Sequence, residues 1–229
     1  MKTNLRIDKV LEFITIGSTV ADIGCDHGYV LIKGVIEGKI NKGIGVDVSK
    51  GPFQQAITNL EEYKVQEKIE IRLGDGLKPI NEGECDICVI GGMGGRLITN
   101  ILEDNLEKSR SFKRLILQPM NSERILRQFL INNKWTIIEE EILILDRLYL
   151  YIVAEKGNMK VDDDFIYDIG PILAIKSDKN NDGRNQYIHE KISKLQHILL
   201  NINKGKENDE RRVKEIEKLI EKWRSYLEN

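Results

Sequence analysis

The chain has few of the residues that mark specialised protein classes. Its 229 residues include three cysteines (Cys25, Cys85 and Cys88) and four prolines, and aromatic residues make up 6%. This small, odd-numbered cysteine set does not suggest a disulfide framework, and it suits a reducing compartment. No run of about 18 apolar residues is present, which argues against a membrane-spanning helix. We therefore expect a cytoplasmic protein with no membrane partner.

The chain also lacks an excess of charge of one sign. It has 35 Lys and Arg against 37 Asp and Glu, a formal net charge of -2. A nucleic-acid partner would therefore have to contact a local basic patch. Cys85 and Cys88 have the spacing of half a zinc site, but no second pair follows, so we interpret them as core thiols and expect no metal. The sequence does not determine the oligomeric state and is compatible with a monomer.

Short β-branched runs alternate with amphipathic segments up to about Lys156. After a first helix at 5–14, this pattern predicts strands at 19–24, 43–47, 69–73, 86–90 and 114–118, with helices at 28–37, 52–63, 96–102 and 122–132. Such alternation indicates a mostly parallel sheet. Two further strands, at 135–145 and 148–154, follow each other without a helix and should pair antiparallel. Ser122 is expected to cap the helix that it precedes.

The character of the chain changes after Gly157, and we divide it there into a catalytic domain (1–157) and a linker with a helical domain (158–229). Residues 162–164 and 178–183 are polar and linker-like, with Gly170-Pro171 as a stop between them. Heptad seams run from Ile188 to Ile202 and from Val213 to Leu227, separated by a predicted turn at 203–209. They predict an antiparallel coiled-coil hairpin. The alternative is an ordinary helix pair packed on the first domain.

The loop after the first predicted strand carries the first chemical signal, Asp22-Ile23-Gly24-Cys25-Asp26-His27-Gly28. Loops at the carboxyl ends of parallel strands bind ligands in such sheets. A dehydrogenase would have G-x-G-x-x-G here, so that its backbone can approach a pyrophosphate. Asp26 replaces the second glycine and Asp22 is close, and two carboxylates would repel a pyrophosphate. They would attract the sulfonium and ammonium of S-adenosylmethionine, which we predict as the cofactor.

The next two strand ends also carry acids. Asp47 closes the second strand, where an acidic residue in nucleoside-binding folds accepts hydrogen bonds from the ribose hydroxyls. Capping of the next turn is the alternative. Gly74-Asp75-Gly76 follows the third strand, where the aspartate would bind the exocyclic amine of adenine or simply form a turn.

Strand four ends in Gly91-Gly92-Met93-Gly94-Gly95. These glycines would let a flat ring approach the backbone, or would allow a close helix-to-strand contact. Gln118-Pro119-Met120-Asn121 adds two amides at the same sheet edge. The Asn or Asp followed by prolines and an aromatic, which serves amino-methylating enzymes, is absent, which favours a ring nitrogen as the target.

In their order along the chain, these segments resemble the bacterial tRNA (adenine-22-N1)-methyltransferase family. The matching stretches are 22–29, 51–53, 72–77, 91–95 and 115–119, and Gly170-Pro171-Ile172-Leu173 with the helical tail is similar to its C-terminal region. The resemblance implies an α/β fold: a Rossmann-like class I methyltransferase domain with a seven-stranded, mostly parallel sheet and a C-terminal coiled-coil hairpin. It also implies methylation of N1 of an adenine in the D-arm of tRNA, with the tail helping to hold tRNA.

We assign roles to residues on this basis. Asp26, Met93 and Gly94 are the predicted catalytic residues, with Asp26 orienting the adenine; alternatively, Asp26 only holds the methionine end of the cofactor. The predicted cofactor-binding residues are Asp22, Gly24, Cys25, Asp26, His27, Gly28, Asp47, Val48, Gly74, Asp75, Gly76, Gly91 and Gly92. The predicted substrate-binding residues are His27, Tyr29, Gln118, Pro119 and Asn121. Candidates for phosphate contacts are Arg6, Lys9, Arg96 and Arg124.

Two other functions fit the same pattern. The first is a class I methyltransferase that acts on another RNA, a protein or a small molecule, which a closed pocket would favour over an open basic rim. The second is a non-catalytic RNA-binding protein on this fold. Failure to bind S-adenosylmethionine would favour that second alternative.

Overall fold

A seven-stranded sheet forms the centre of the computed structural model, which describes residues 4–176, 182–204 and 210–227. The strands are β1 (Ser18–Ile23), β2 (Ile40–Asp47), β3 (Ile69–Leu73), β4 (Ile87–Met93), β5 (Arg114–Pro119), β6 (Trp135–Ile144) and β7 (Leu148–Lys156). Their order is β3-β2-β1-β4-β5-β7-β6, and β7 is antiparallel to both of its neighbours. The predicted parallel sheet with a terminal antiparallel hairpin is confirmed.

Helices cover both faces of this sheet. They are α1 (Leu5–Phe13), α2 (Tyr29–Ile36), α3 (Lys50–Tyr63), α4 (Gly95–Glu103), α5 (Leu106–Ser111), α6 (Glu123–Asn132), α7 (Ile166–Ile169), α8 (Pro171–Ile175), α9 (Asp182–Lys204) and α10 (Glu210–Arg224). Among the described residues, no helix is both long enough and apolar enough to cross a membrane.

The central strands are buried on both faces, as expected for a parallel sheet covered by helices. In β1, Val20 belongs to the hydrophobic cluster under α1 and α2, whereas Ala21 and Ile23 belong to the cluster on the opposite face. Cys85 and Cys88 are buried in that second cluster, which confirms the interpretation as core thiols, and burial raises the pKa of Cys85 to about 12. The strand order reverses between β1 and β4, and this creates a crevice at their carboxyl ends.

Two local features differ from what the sequence suggested. Helix α5, which is short, largely polar and lies before β5, was not predicted. Ser122 occupies the N-cap position of α6, but its side chain makes no capping hydrogen bond there. Its backbone is left-handed, with φ of 54°, and its hydroxyl donates to Oδ1 of Asn121 at 3.1 Å instead of serving the helix.

The segment after β7 is more structured than its polar sequence suggested. Gly170, with φ of 99°, separates α7 from α8, so the predicted stop is confirmed. Phe165, Ile169 and Leu173 are buried in the same hydrophobic cluster as the sheet. Helix α9 begins inside the predicted linker at 178–183 and extends into the predicted turn at 203–209. The remaining residues of those two segments lie outside the described part of the chain, apart from Gly183, which is in α9.

Helices α9 and α10 pack against each other, as the heptad seams predicted, and also against the sheet. Ile188, Ile192, Ile220 and Trp223 are buried in the cluster that contains the sheet residues. The Trp223 ring lies 5.0 Å from that of Phe165, edge to face. The helical hairpin is therefore present, and it also has the packing on the first domain that the alternative interpretation described.

A buried ion pair joins this C-terminal region to the sheet. Nε of Arg127 in α6 donates to Oε1 of Glu140 in β6 at 2.8 Å, and both side chains are fully buried. Oε2 of Glu140 accepts hydrogen bonds from the backbone N–H groups of Ile172 and Leu173 at 3.0 and 3.3 Å. Arg127 also donates to the carbonyl oxygen of Asp168 at 2.7 Å. These bonds fix α7 and α8 against β6.

Candidate active site

A cleft of about 240 Å³ opens at the crevice between β1 and β4, bounded on one side by α1. Its walls come from the carboxyl ends of β1 and β4, the loop and helix after β1, the end of β5, helix α1 and one residue of β7. The predicted site residues that line it are Asp22, Gly24, Cys25, Asp26, His27, Tyr29, Gly91, Gly92 and Gln118. Residues from three predicted segments therefore meet at one place.

The first loop leaves β1 through a series of left-handed residues. Gly24, Asp26 and Gly28 have φ of 73°, 51° and 73°. The N–H groups of Gly24 and Cys25 donate to the carbonyl oxygen of Val46, which holds the loop against β2 at 2.8 and 3.1 Å. A Cβ atom on Gly24 would lie 2.3 Å from Cε of Met93. The left-handed backbone thus favours glycine at position 24, and a larger residue would also displace the end of the Met93 side chain.

The carboxyl groups of Asp22 and Asp47, at the ends of β1 and β2, interact electrostatically. Oδ1 and Oδ2 of Asp47 accept hydrogen bonds from the N–H groups of Ser49 (2.8 Å) and Asp26 (3.2 Å). Asp22 is 5% exposed and forms no hydrogen bond or ion pair with another described side chain. Burial, and secondarily the negative charge of Asp47, raise the pKa of Asp22 to about 7. A buried carboxyl group without a cation provides a binding site for a positively charged ligand.

His27 and Tyr29 stand at the mouth of the cleft. Their rings lie 5.8 Å apart and are tilted by 54°. The carbonyl oxygen of His27 accepts a hydrogen bond from Nδ2 of the buried Asn59 at 2.9 Å, which anchors the loop to α3. Nδ1 of His27 is buried without a hydrogen-bond partner among the described residues, and Nε2 lies 3.6 Å from Oδ2 of Asp26. The side chain of Asp26 itself is 66% exposed.

The glycines at the end of β4 and the start of α4 have different surroundings. Gly92 has φ of 74° at an irregularity of the β4–β5 pairing, and a Cβ atom there would meet open space. A Cβ atom on Gly95 would lie 2.6 Å from the carbonyl oxygen of Ser122, so this glycine is explained by the close contact that we considered as the alternative. Gly94 precedes α4 and lies against the side chain of Asn121. The open surface is therefore limited to Gly91 and Gly92.

Gln118 holds this glycine segment in place. Its side chain is buried, and Oε1 accepts a hydrogen bond from the N–H of Gly92 at 3.0 Å. Pro119 pairs with Met93 in the β4–β5 register. Met93, Gly94, Pro119 and Asn121 are not part of the cleft lining.

The third strand end lies beyond Asp47. The N–H of Gly74 donates to the carbonyl oxygen of Asp47 at 2.9 Å, so the ends of β2 and β3 are adjacent. Asp75 is exposed in the following turn and forms an ion pair with Lys78 at 2.6 Å. Gly76 (φ of 55°) forms part of the same turn, and Val48 is 68% exposed next to Asp47. These residues and Gly28 lie outside the lining of the cleft.

Several residues that line the cleft were not predicted from the sequence. Asn4, Ile7, Val10, Val30, Val89 and Tyr151 line it. The hydroxyl of Tyr151 donates to the carbonyl oxygen of Arg6 at 3.3 Å, which ties the first turn of α1 to β7. Tyr151 and Arg6 are separated by 145 positions in the chain, so no local pattern could have indicated their contact.

The candidate phosphate-binding residues fall into two groups. Lys9 forms ion pairs with Glu12 and Glu141, at 2.6 and 2.9 Å, and Arg124 forms ion pairs with two acidic residues of the segment before α8. Both cations therefore have acidic partners within the fold, and phosphate contacts at these two positions stay a prediction. Arg6 lines the cleft and Arg96 is exposed at the start of α4. Within the described ranges, no cluster of three or more His, Cys, Asp or Glu residues could hold a metal ion.

The chain is similar to characterised proteins over nearly its whole length. The model of the TrmK family, tRNA (adenine(22)-N(1))-methyltransferase, matches residues 20–225. The tRNA (adenine(22)-N(1))-methyltransferase of Bacillus subtilis is 35% identical over 90% of this chain and 92% of that protein.

Solved structures agree with this match. The structure of Streptococcus pneumoniae Sp1610 in complex with S-adenosyl-L-methionine superimposes with a TM-score of 0.88 at 32% identity, covering 99% of this chain and 100% of that one. The B. subtilis tRNA methyltransferase TrmK superimposes with a TM-score of 0.88 at 30% identity, covering 99% of each chain.

Proposed function

Because the chain belongs to the tRNA (adenine(22)-N(1))-methyltransferase family, we propose that it transfers the methyl group of S-adenosylmethionine to N1 of adenine 22 in tRNA. The observation that carries the proposal within the structure is the buried carboxyl group of Asp22 beside Asp47, which lies in the cleft without a cation. This arrangement fits an ammonium- and sulfonium-bearing donor and opposes a pyrophosphate. We propose that the reaction takes place in the cytoplasm.

The chemistry requires little acid–base help from the protein. S-adenosylmethionine supplies an electrophilic methyl group on a positively charged sulfur. N1 of adenine is a neutral ring nitrogen with an in-plane lone pair, so a bond from N1 to the methyl carbon can form as the carbon–sulfur bond breaks, with that electron pair passing to sulfur. The cleft must therefore mainly align the two reactants and exclude water, which is worth up to roughly 7–11 kcal/mol in favourable intramolecular cases.

We assign the cofactor to the first loop and the substrate to the mouth of the cleft. Asp22 and the glycine loop would hold the amino-acid end of the cofactor, and Asp47 with the adjacent β3 end would hold its ribose and adenine. The exposed carboxylate of Asp26, next to His27, would orient the target adenine and favour its cationic methylated product.

The target base must be exposed before it can react. Watson–Crick pairing hides N1 of adenine, and releasing one base from a helix costs a few kcal/mol. We propose that residues 158–229, a linker and a helical domain that packs on the sheet, hold tRNA while the base enters the cleft. Support comes from the two long helices, α9 and α10, whose described residues extend beyond the buried positions near the sheet.

Incubation of total tRNA with the protein and radiolabelled S-adenosylmethionine tests the function. The labelled nucleoside is identified by chromatography, and its position is mapped by the stop that N1-methyladenine causes in reverse transcription. We expect label in N1-methyladenosine at position 22. Label in another nucleoside or at another position would contradict the proposal.

A further inference from the structure

Two arginines that are distant in sequence meet at one aromatic ring on the rim of the cleft. Arg6 lies in the first turn of α1, and Arg147 lies in the three-residue turn between β6 and β7. The guanidinium carbons of Arg6 and Arg147 lie 5.3 and 5.0 Å from the centroid of the Tyr149 ring. Contacts at this distance are favourable cation–π interactions, which hold both side chains near one place.

The support beneath these arginines is rigid. Tyr149 is 3% exposed, and its hydroxyl donates to Oδ1 of Asp146 at 2.9 Å. The turn that carries Arg147 is closed by a hydrogen bond from the N–H of Leu145 to the carbonyl oxygen of Arg147 at 3.0 Å. The carbonyl of Arg6 is held by Tyr151, as described above. A guanidinium held in this way loses less conformational freedom when it binds a ligand than a free surface arginine does.

The charges around the pair indicate what it binds. Arg6 and Arg147 are both exposed, and neither forms an ion pair with a carboxylate in the described parts of the chain. Glu12 and Glu141 form ion pairs with Lys9, and Asp146 accepts a hydrogen bond from Tyr149 but forms no ion pair with either arginine among the described residues. Two like charges near one ring repel each other, and an anion between or beside them removes that cost. Guanidinium groups match phosphate oxygens in geometry as well as charge.

The position of the pair relates it to the reaction. Arg6 lines the same cleft as Asp22 and Asp26, whose negative charges repel a polyanion. RNA can approach such a cleft only where cations on its rim compensate for this repulsion. We propose that Arg6 and Arg147, stacked on Tyr149, bind backbone phosphates of the tRNA strand beside the target adenine and so position that base. This inference rests on the proposed function.

The test compares two charge-matched double variants in tRNA binding. Arg6→Gln/Arg147→Gln removes both proposed contacts. Arg110→Gln/Lys156→Gln removes two exposed cations at the opposite end of β7 and serves as the control. The dissociation constant for tRNA is measured by fluorescence anisotropy from 50 to 200 mM salt with S-adenosylhomocysteine present, and kcat and KM are measured separately for tRNA and for the cofactor.

We expect the arginine double variant to weaken tRNA binding by roughly tenfold per arginine, since each forms a charge-assisted hydrogen bond to a phosphate. The slope of log Kd against log salt should fall by about one for each phosphate that is no longer neutralised, hence by about two. KM for tRNA should rise while the cofactor affinity stays close to that of the control. A tRNA affinity and salt slope equal to those of the control double variant would overturn the inference.

The affinity for the cofactor shows whether each variant is folded. If the arginine double variant no longer binds the cofactor, the single variants Arg6→Gln and Arg147→Gln each test one of the two contacts. Absence of methyl transfer to tRNA by the unaltered protein would refute the proposed function itself. Normal transfer by the unaltered protein, with tRNA affinity and salt slope unchanged in the arginine double variant, would refute only the role of the two arginines.

Discussion

The buried carboxyl group of Asp22 should couple cofactor binding to the release of a proton. In the free protein its pKa is raised to about 7, first because burial removes water from the carboxylate and second because Asp47 is negative. A bound ammonium group stabilises the ionised form and lowers that pKa. Because only the ionised carboxyl group attracts the ligand, the affinity for S-adenosylmethionine should increase as the pH rises through about 7.

The size of the effect follows from the pKa. Between pH 6 and pH 7 the ionised fraction of a group with a pKa of about 7 rises from about one eleventh to about one half. The dissociation constant should therefore fall by about fivefold, which corresponds to about 1 kcal/mol. Above pH 7.5 the amino group of the cofactor begins to lose its own charge, since α-amino groups titrate at about 7.7–8.0. The measurement is therefore confined to pH 6–7.5.

Isothermal titration calorimetry in two buffers with different ionisation enthalpies measures both quantities. At pH 7 we expect release of about half a proton per cofactor bound, from the ionised fraction above. Asp22→Asn is the matched control, because it keeps the shape of the side chain and the titration of the cofactor while it removes the carboxyl group. An affinity for the unaltered protein that is constant over this range, or a proton release equal to that of Asp22→Asn, would refute the reasoning.

The same pKa shift has the opposite effect on the stability of the cofactor-free protein. The folded-state pKa of Asp22 is raised above the ordinary value, so the protonated form stabilises the fold at low pH. This contribution should be lost as the pH rises from about 4 through about 7. Urea unfolding at a series of pH values, with Asp22→Asn in parallel, measures it.

Three further experiments, two of them with a control variant, test other parts of the structure. Asp26→Ala should abolish methyl transfer while the cofactor affinity measured by calorimetry changes by less than about tenfold; an equal loss of both would support a role in holding the cofactor only. Gly24→Ala and Gly83→Ala should each cost about 1–2 kcal/mol of stability, because both positions have φ near 70°. Only Gly24→Ala should also weaken cofactor binding, because Gly24 lines the cleft, whereas Gly83 does not and has open space around it. Equal cofactor affinities in both variants would contradict this. Glu140→Gln should lower the free energy of unfolding by about 3–5 kcal/mol because it leaves a buried cation unpaired, whereas Glu155→Gln at a partly exposed ion pair should cost less than about 1 kcal/mol; similar urea midpoints would be inconsistent with the buried network.

Much of the fold could be predicted because its signals are local. The β-branched runs identify the strands, and the absence of a helix between residues 145 and 148 identifies the antiparallel hairpin. Helices α5, α7 and α8 were not predicted, since each has six residues or fewer and is too short to reveal a period. Phe165 packs against the distant Trp223, and this contact has no local sequence signal.

The candidate site, like the fold, could be predicted where its sequence signals are local. The acidic glycine loop and the glycine segment after β4 lie at strand ends, where the parallel topology brings them together. The direction of a side chain cannot be obtained from such a pattern. Gln118 was expected to bind the substrate, and that role stays a prediction, but its amide oxygen is used by the N–H of Gly92. The α1 wall of the cleft depends on contacts across 145 positions and required the structure.

A crystal structure of the protein with S-adenosylhomocysteine, together with competition by NAD and ATP, tests the central claim most directly. We predict that the amino group of the cofactor product lies against Asp22, that its ribose hydroxyls donate to Asp47, and that neither nucleotide competes. A nucleotide bound with its phosphates against Gly24 and Asp26 would contradict the account.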